Sequence, residues 1–298
     1  MQGGSGQLKQ TVIAVIVAFC AATFAAAEPR LRVDAQFEWT LEEDWFGGFS
    51  GMEVSPDGNA LTLITDRSSV VRARLVREQG RLLGVQLLSQ DTLKTEDGGR
   101  LRGTSRDSEG LAIGRDGQAY VSFEAHDKSV GALDLKTGRI TPLPDHPDFA
   151  YFSINTGLEA LAVHPDGRLF TLSEMPSDSS GTTPLFKFRN GNWRISHRIP
   201  LPGPFRPVGA DFDDAGRLYL LERTITPLGF RSQIRRFDLN ADPVVVETLL
   251  TTFPAAFDNL EALSVWTDAA GTTRVIVISD DNFISLQTTQ IVEFVLTE

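Results

Sequence analysis

Acidic residues in this sequence bracket glycine-containing turns at regular spacing. Glu109 and Glu124 flank Asp116-Gly117, and Glu159 and Glu174 flank Asp166-Gly167, 50 residues further on. Glu261 and Asp280 flank a longer version of the same turn. Two copies keep only the closing acid: Asp66, with Ser50 in the opening slot, and Glu222, with Val208 opposite. Arg67 and Arg223 directly follow these two acids. Carboxylates gathered in one place repel one another unless they are paired, protonated or bound to a cation. Carboxylate oxygens, with amide carbonyls nearby from Asn155, Asn259 and Asn282, form a hard ligand set whose natural cation is Ca2+. Glu109, Glu159, Glu261, Asp66, Asp280 and Asn155 are therefore the expected metal ligands. Each residue alone also has a plainer reading, as a hairpin cap or a turn residue. Capping, however, does not require the acids to recur at the same end of every hairpin.

The acids sit inside a phrase that occurs five times: FSGMEVSPDGNALTLITDR (49–67), DSEGLAIGRDGQAYVSFE (107–124), TGLEALAVHPDGRLFTLSE (156–174), PVGADFDDAGRLYLLER (207–223) and NLEALSVWTDAAGTTRVIVISDD (259–281). Apolar and polar residues alternate on either side of each turn, the period-two signature of an antiparallel hairpin. Two further strand-like runs follow each of the first four hairpins, for example VVRARLV and LLGVQLL after the first. Four-stranded repeats of about 50 residues, with no helical pattern between them, predict an all-β fold, a β-propeller of five blades. The fifth repeat ends after its third strand, TQIVEFVL, so the N-terminal RLRVDAQFEW (30–39) is expected to supply the fourth and close the ring. A solenoid or an immunoglobulin-like pair does not account for this split repeat. The stretch 88–106 leaves room for a sixth blade. In a propeller the first strand of each blade lines the channel and the second returns beside it. The acids before the first strand and after the second then meet at one mouth.

The 298 residues are 41% hydrophobic and 22% charged, enough to bury a large core. Lys9, the apolar run TVIAVIVAFCAATF and Ala25-Ala26-Ala27 read as a signal peptide over residues 1–27, leaving 28–298 as one exported domain, periplasmic or extracellular. The apolar run is short of a membrane span, and Phe19 sits poorly before Cys20 for a lipoprotein signal. Cleavage after Ala27 removes Cys20, the only cysteine, and with it thiol chemistry and disulfides. A net charge of −11 without any basic run argues against nucleic acid as a partner and favours a small molecule.

The phrases DSEGLA, NTGLEALAVHPDGRLFTLSE, LLER and DNLEALSV resemble the phytase-like family, described as having the esterase-like activity of phytase, over about residues 34–297. The resemblance implies a phosphoesterase-like site at Glu109, Glu124, Glu159, Glu174, Glu222, Glu261 and Asp280. With the Ca2+ that the carboxylates call for as cofactor, the expected substrate is a small molecule, phosphorylated in the first instance. A fainter similarity to calcium-dependent lactonase propellers points to the same channel site. In a phosphoesterase, Glu174 is the expected general base, with Glu124 and Glu222 as further free carboxylates. Arg67 and Arg223 would offset phosphate charge, unless each pairs with an acid of the neighbouring blade. Two other functions fit the same residues: hydrolysis of carboxylic esters or lactones, and binding around a structural ion without catalysis. A serine mechanism does not fit, because GGFSGM around Ser50 lacks the second glycine and the helix of a nucleophile elbow.

Overall fold

The computed structural model describes residues 28–124, 129–152, 157–174 and 181–298. The chain opens with β1 (Arg30–Glu38) and then lays down four complete blades. Blade I is β2 (Phe49–Val54), β3 (Ala60–Thr65), β4 (Ser69–Glu78) and β5 (Arg81–Thr92). Blade II is β6 (Ser108–Ile113), β7 (Ala119–Phe123), β8 (Val130–Asp134) and β9 (Arg139–Pro142). Blade III is β10 (Ala160–Val163), β11 (Leu169–Leu172), β12 (Thr182–Arg189) and β13 (Asn192–Pro200). Blade IV is β14 (Arg206–Phe212), β15 (Leu218–Thr226), β16 (Gly229–Asp238) and β17 (Val245–Thr251). The last repeat gives β18 (Leu260–Thr267), β19 (Thr273–Ser279) and β20 (Gln290–Thr297), and β1 pairs antiparallel with β20 to complete blade V. The split blade predicted from the sequence is therefore present.

All five inner hairpins turn in the same way. The N–H groups of Gly58, Gly117, Gly167, Gly216 and Gly271 donate to the carbonyl three residues back at 2.8–2.9 Å. Their φ angles of 70 to 83° lie in the left-handed region where glycine costs least. Five turns of one type thus reverse the five inner hairpins, which differ in length but all open toward the same side of the ring.

The five apolar clusters of the core each fill one blade-to-blade junction. Blades V and I meet through Trp39, Phe49, Met52 and Ile276, and blades II and III through Ala112, Val130, Leu161 and Phe186. Because a blade is covered on both faces, its inner strands are buried throughout, as in Val275–Ser279. Residues 88–92 end β5, and a connector with a short 3-10 turn at Gly103–Arg106 leads on to blade II. The sixth blade left open by the sequence does not form among the described residues.

Gly110 shows how tightly the inner strands pack. A Cβ there would come within 2.6 Å of Ser122 Oγ and 2.7 Å of the Leu161 Cβ. The corresponding Ala160 and Ala262 are fully buried with their methyl groups accommodated. The Gly-for-Ala difference between the glutamate motifs thus follows the gap to the next blade and leaves the carboxylates in place.

Candidate metal and catalytic centre

Antiparallel pairing carries the acids to one mouth. Asp66, Glu124 and Asp280 each follow directly on a second strand, and Glu159 directly precedes β10. Glu109 and Glu261 lie inside the first turn of pleat of β6 and β18. Asp107, Glu109 and Glu124 of blade II converge until one oxygen from each lies within 4.8 Å of the others. Two oxygens on opposite sides of a Ca2+ bound at 2.3–2.6 Å stand about 5 Å apart, so this spacing suits a hard cation.

The charges at this mouth act on one another. Burial, and then Glu159, Glu261, Asp107 and Glu124, hold the Glu109 carboxyl well above the usual range. Glu124 is pushed to about 8 by burial and by Asp107, and Asp280 to about 8 by burial and Glu261. Asp66 rises to about 6 through burial, opposed by Arg67, and its Oδ1 is buried with no hydrogen-bond partner among the described residues. Burial and the neighbouring acids also raise Glu159, while Glu174 rises through burial against the pull of Arg223 and Arg206. A partnerless buried oxygen beside carboxyls that resist ionisation is what a cation would relieve. Asp107, Glu109 and Glu124 fit such a group, with Asp66 close enough to feel the Asp107 charge.

Arg223 supplies the positive charge within the ring. It contacts Glu261 Oε1 at 2.9 Å and donates to Asn259 Oδ1, while Asn259 Nδ2 donates to the same glutamate at 2.7 Å. The cross-blade ion pair considered for Arg223 is therefore made, and it ties down Glu261. Arg67 takes a different course and lies flat on Phe283, 3.1 Å from the ring centroid.

Glu222 does not join the free carboxylates. It is fully buried and grips Arg235 through both oxygens at 2.5 and 2.6 Å. Arg235 stands on β16 diagonally across from it, since Glu222 pairs with Gln233 and Leu220 with Arg235. A catalytic role for Glu222 is thereby corrected to a buried ion pair. Asn155 lies outside the described residues. Ser50 donates its hydroxyl to the Ser108 carbonyl, in keeping with the absence of a serine nucleophile. Asp107 was not singled out in the sequence, although it stands within the repeated phrase two residues before Glu109.

A second carboxylate pair lies deeper in the channel, toward the opposite mouth. Ser264 Oγ donates to Glu53 Oε2 at 3.3 Å and to Asp211 Oδ2 at 3.2 Å, and Ile113 N–H donates to Glu53 Oε1 at 3.0 Å. These contacts join blades I, II, IV and V. Burial and then Asp211 raise Glu53 well above its ordinary value, and burial pushes Asp211 to about 7. His164 borders the cavity that Glu53 and Asp211 line, and packs on Phe212 with centroids 5.0 Å apart.

The pair makes a signed prediction. The native state keeps protons that the unfolded chain releases from the ordinary aspartate value of 3.8 upward, so this stability is full in acid and is lost as pH rises toward 7. Glu53→Gln keeps the bond from Ile113 and lets the new amide donate to Ser264. It removes the group that burial and Asp211 raise, each unit of that shift being worth about 1.4 kcal/mol at high pH. Calorimetric melts should show the variant equal to wild type near pH 4 and more stable at pH 8. A lower melting temperature at pH 8 would contradict the repulsion.

A family profile described as "Esterase-like activity of phytase" matches residues 44–283. The search of curated proteins gave no significant match. Among solved structures, a gluconolactonase from Xanthomonas campestris, described as important in glucose secondary metabolic pathways, is similar at 16% identity and a TM-score of 0.44. The alignment covers 83% of this chain and 72% of that one. With the profile spanning most of its length, including all five copies of the repeated motif, the chain belongs to the phytase-like family.

Proposed function

We propose that this protein is an exported, cation-dependent ester hydrolase that acts on phosphate esters at the carboxylate mouth. The convergence of Asp107, Glu109 and Glu124 beside the partnerless Asp66 oxygen carries this reading. The esterase-like description of the family supports it. Asp107, Glu109 and Glu124 would hold the cation, with Ca2+ as the expected ion of an exported protein. When bound, it supplies Lewis acidity toward an ester oxygen and reverses the sign of a mouth that otherwise repels anions. Glu174, only half-buried, is the residue to take a proton from attacking water. Arg223 holds Glu261 in place and offsets negative charge that develops nearby.

The test uses the mature chain, whose N-terminus by mass spectrometry should be Glu28. With Ca2+ it should hydrolyse an aryl phosphate and lose that activity in chelator. Glu174→Gln should lower kcat at least 10²-fold, in the range of losing a positioned acid or base, while calcium still raises its melting temperature. Turnover unchanged in Glu174→Gln or in chelator removes this mechanism. Preference for an aryl acetate or a lactone over the phosphate would favour the carboxylic-ester reading, which a net acidic mouth also suits. No turnover on any of the three would leave a propeller that binds without catalysis.

A further inference from the structure

Beside the acidic mouth lies a cavity of opposite character. It measures about 530 Å³ and is bordered by Arg67, Arg100, Arg102 and Arg106, together with Trp45 and Gln90, and its wall contains no aspartate or glutamate. In a chain with 28 basic and 39 acidic residues, four arginines without an acid among them is an unexpected grouping. Eight arginines elsewhere, Arg72, Arg77, Arg115, Arg168, Arg217, Arg235, Arg236 and Arg274, sit in ion pairs. Among the described residues, none of the four cavity guanidiniums forms an ion pair. Glu96 and Asp97 line a neighbouring hollow that shares Arg100 and Arg102, and Asp97 is already engaged by Thr95 and by the Gly99 N–H.

The cavity and the mouth share their edges along the chain. Arg67 follows Asp66, and Arg106 precedes Asp107, so two residues of the cavity wall are chain neighbours of acids at the carboxylate mouth. Arg67 is further held on the Phe283 ring. A molecule lodged among the arginines would therefore extend over the carboxylates. Guanidinium groups present planar forks of donors that match phosphate and carboxylate oxygens in pairs.

We propose that this cavity is an oxyanion subsite, which takes a phosphate or carboxylate group of the substrate other than the one being hydrolysed. Esters with a second oxyanion group are then selected over those with one. The role in selection rests on the hydrolase reading above, whereas oxyanion binding does not.

The experiment titrates the chelator-treated protein with inorganic phosphate, and separately with malonate, following heat and Trp45 fluorescence. Arg100→Gln/Arg102→Gln is the variant, since both side chains are exposed and their loss should not disturb folding. Wild type should bind with an affinity that weakens as salt rises, and the double variant at least tenfold less tightly. Arg194→Gln, an exposed position on β13, serves as a control and should bind as wild type does. Binding of phosphate alone identifies a phosphorylated ligand, and binding of malonate alone a carboxylate one. In turnover, the double variant should show a KM about tenfold higher for an ester that carries a second phosphate or carboxylate group, with kcat unchanged and the aryl phosphate unaffected. Phosphate binding that disappears in the variant of a protein hydrolysing no ester would keep the subsite and discard the hydrolase. Equal binding by wild type and the double variant, or none by either, overturns the subsite.

Discussion

Glu109→Gln should raise the melting temperature of the cation-free protein and lower that of the calcium-loaded one. The two signs come from one cause. Without a cation, Glu109 is buried against Glu159, Glu261, Asp107 and Glu124, so its ionised form is opposed from several directions. A neutral amide of the same shape removes that repulsion. With calcium present, the same substitution deletes one of the three converging ligands. A ligand at 100 times its Kd stabilises a native state by about 2.7 kcal/mol. Loss of groups that merely orient ligands costs about 10- to 100-fold in affinity, and loss of a ligand should cost at least as much. Most of the calcium-dependent gain should therefore vanish, and hydrolysis should fall by at least about 10²-fold. Paired melts in chelator and in calcium decide the matter without a known substrate. If wild type and variant melt alike in both buffers, the cluster holds no cation.

How much of this was legible beforehand depended on whether a property was local or required a partner. The blades were legible because each hairpin carries its own turn chemistry, with Gly117 or Gly167 marking the reversal and period-two alternation marking the strands. The closing strand was legible because the last repeat lacks a fourth member, and β1 pairs with β20 from Arg30 to Glu38. The shared mouth followed from antiparallel geometry alone. Individual roles did not, since they depend on residues brought close by other strands. Glu222 looks like Glu124 and Glu174 in its own hairpin, and only Arg235, one strand over, makes it a buried ion pair. Arg223 and Arg67 occupy equivalent slots, yet one meets Glu261 and the other Phe283. The Glu53–Asp211 pair escaped notice because neither residue brackets a hairpin, and their proximity exists only across the channel.

Ring closure should depend on one residue to an extent the strand pairing does not suggest. Glu293, on β20, has no exposure; its oxygens accept from Arg77 at 2.6 and 2.8 Å and from Arg274 at 3.1 Å. Arg77 belongs to β4 of blade I, so this carboxylate bonds the last blade to the first. Both guanidiniums also lie over Trp266, at 4.7 and 5.9 Å from its centroid. Glu293→Ala leaves these positive charges in the junction, and removing one partner of a buried pair costs about 3–5 kcal/mol. At roughly 2–4 °C per kcal/mol for chains of about this size, the melting temperature should fall by about 10 °C. Arg274 keeps Asp34 and Asp268 at 2.8 Å, so Arg77 is the group left stranded. The double variant Arg77→Met/Glu293→Leu should accordingly recover most of the loss, because apolar side chains of similar size often replace a buried pair at little cost. Amide exchange in β1 and β20 gives the second readout. If closure depends on Glu293, these strands should exchange faster in Glu293→Ala, whereas those of blade III should change less. Equal acceleration in all blades would mean that the ring opens as a whole, and that the junction holding its two ends is no weaker than the other four.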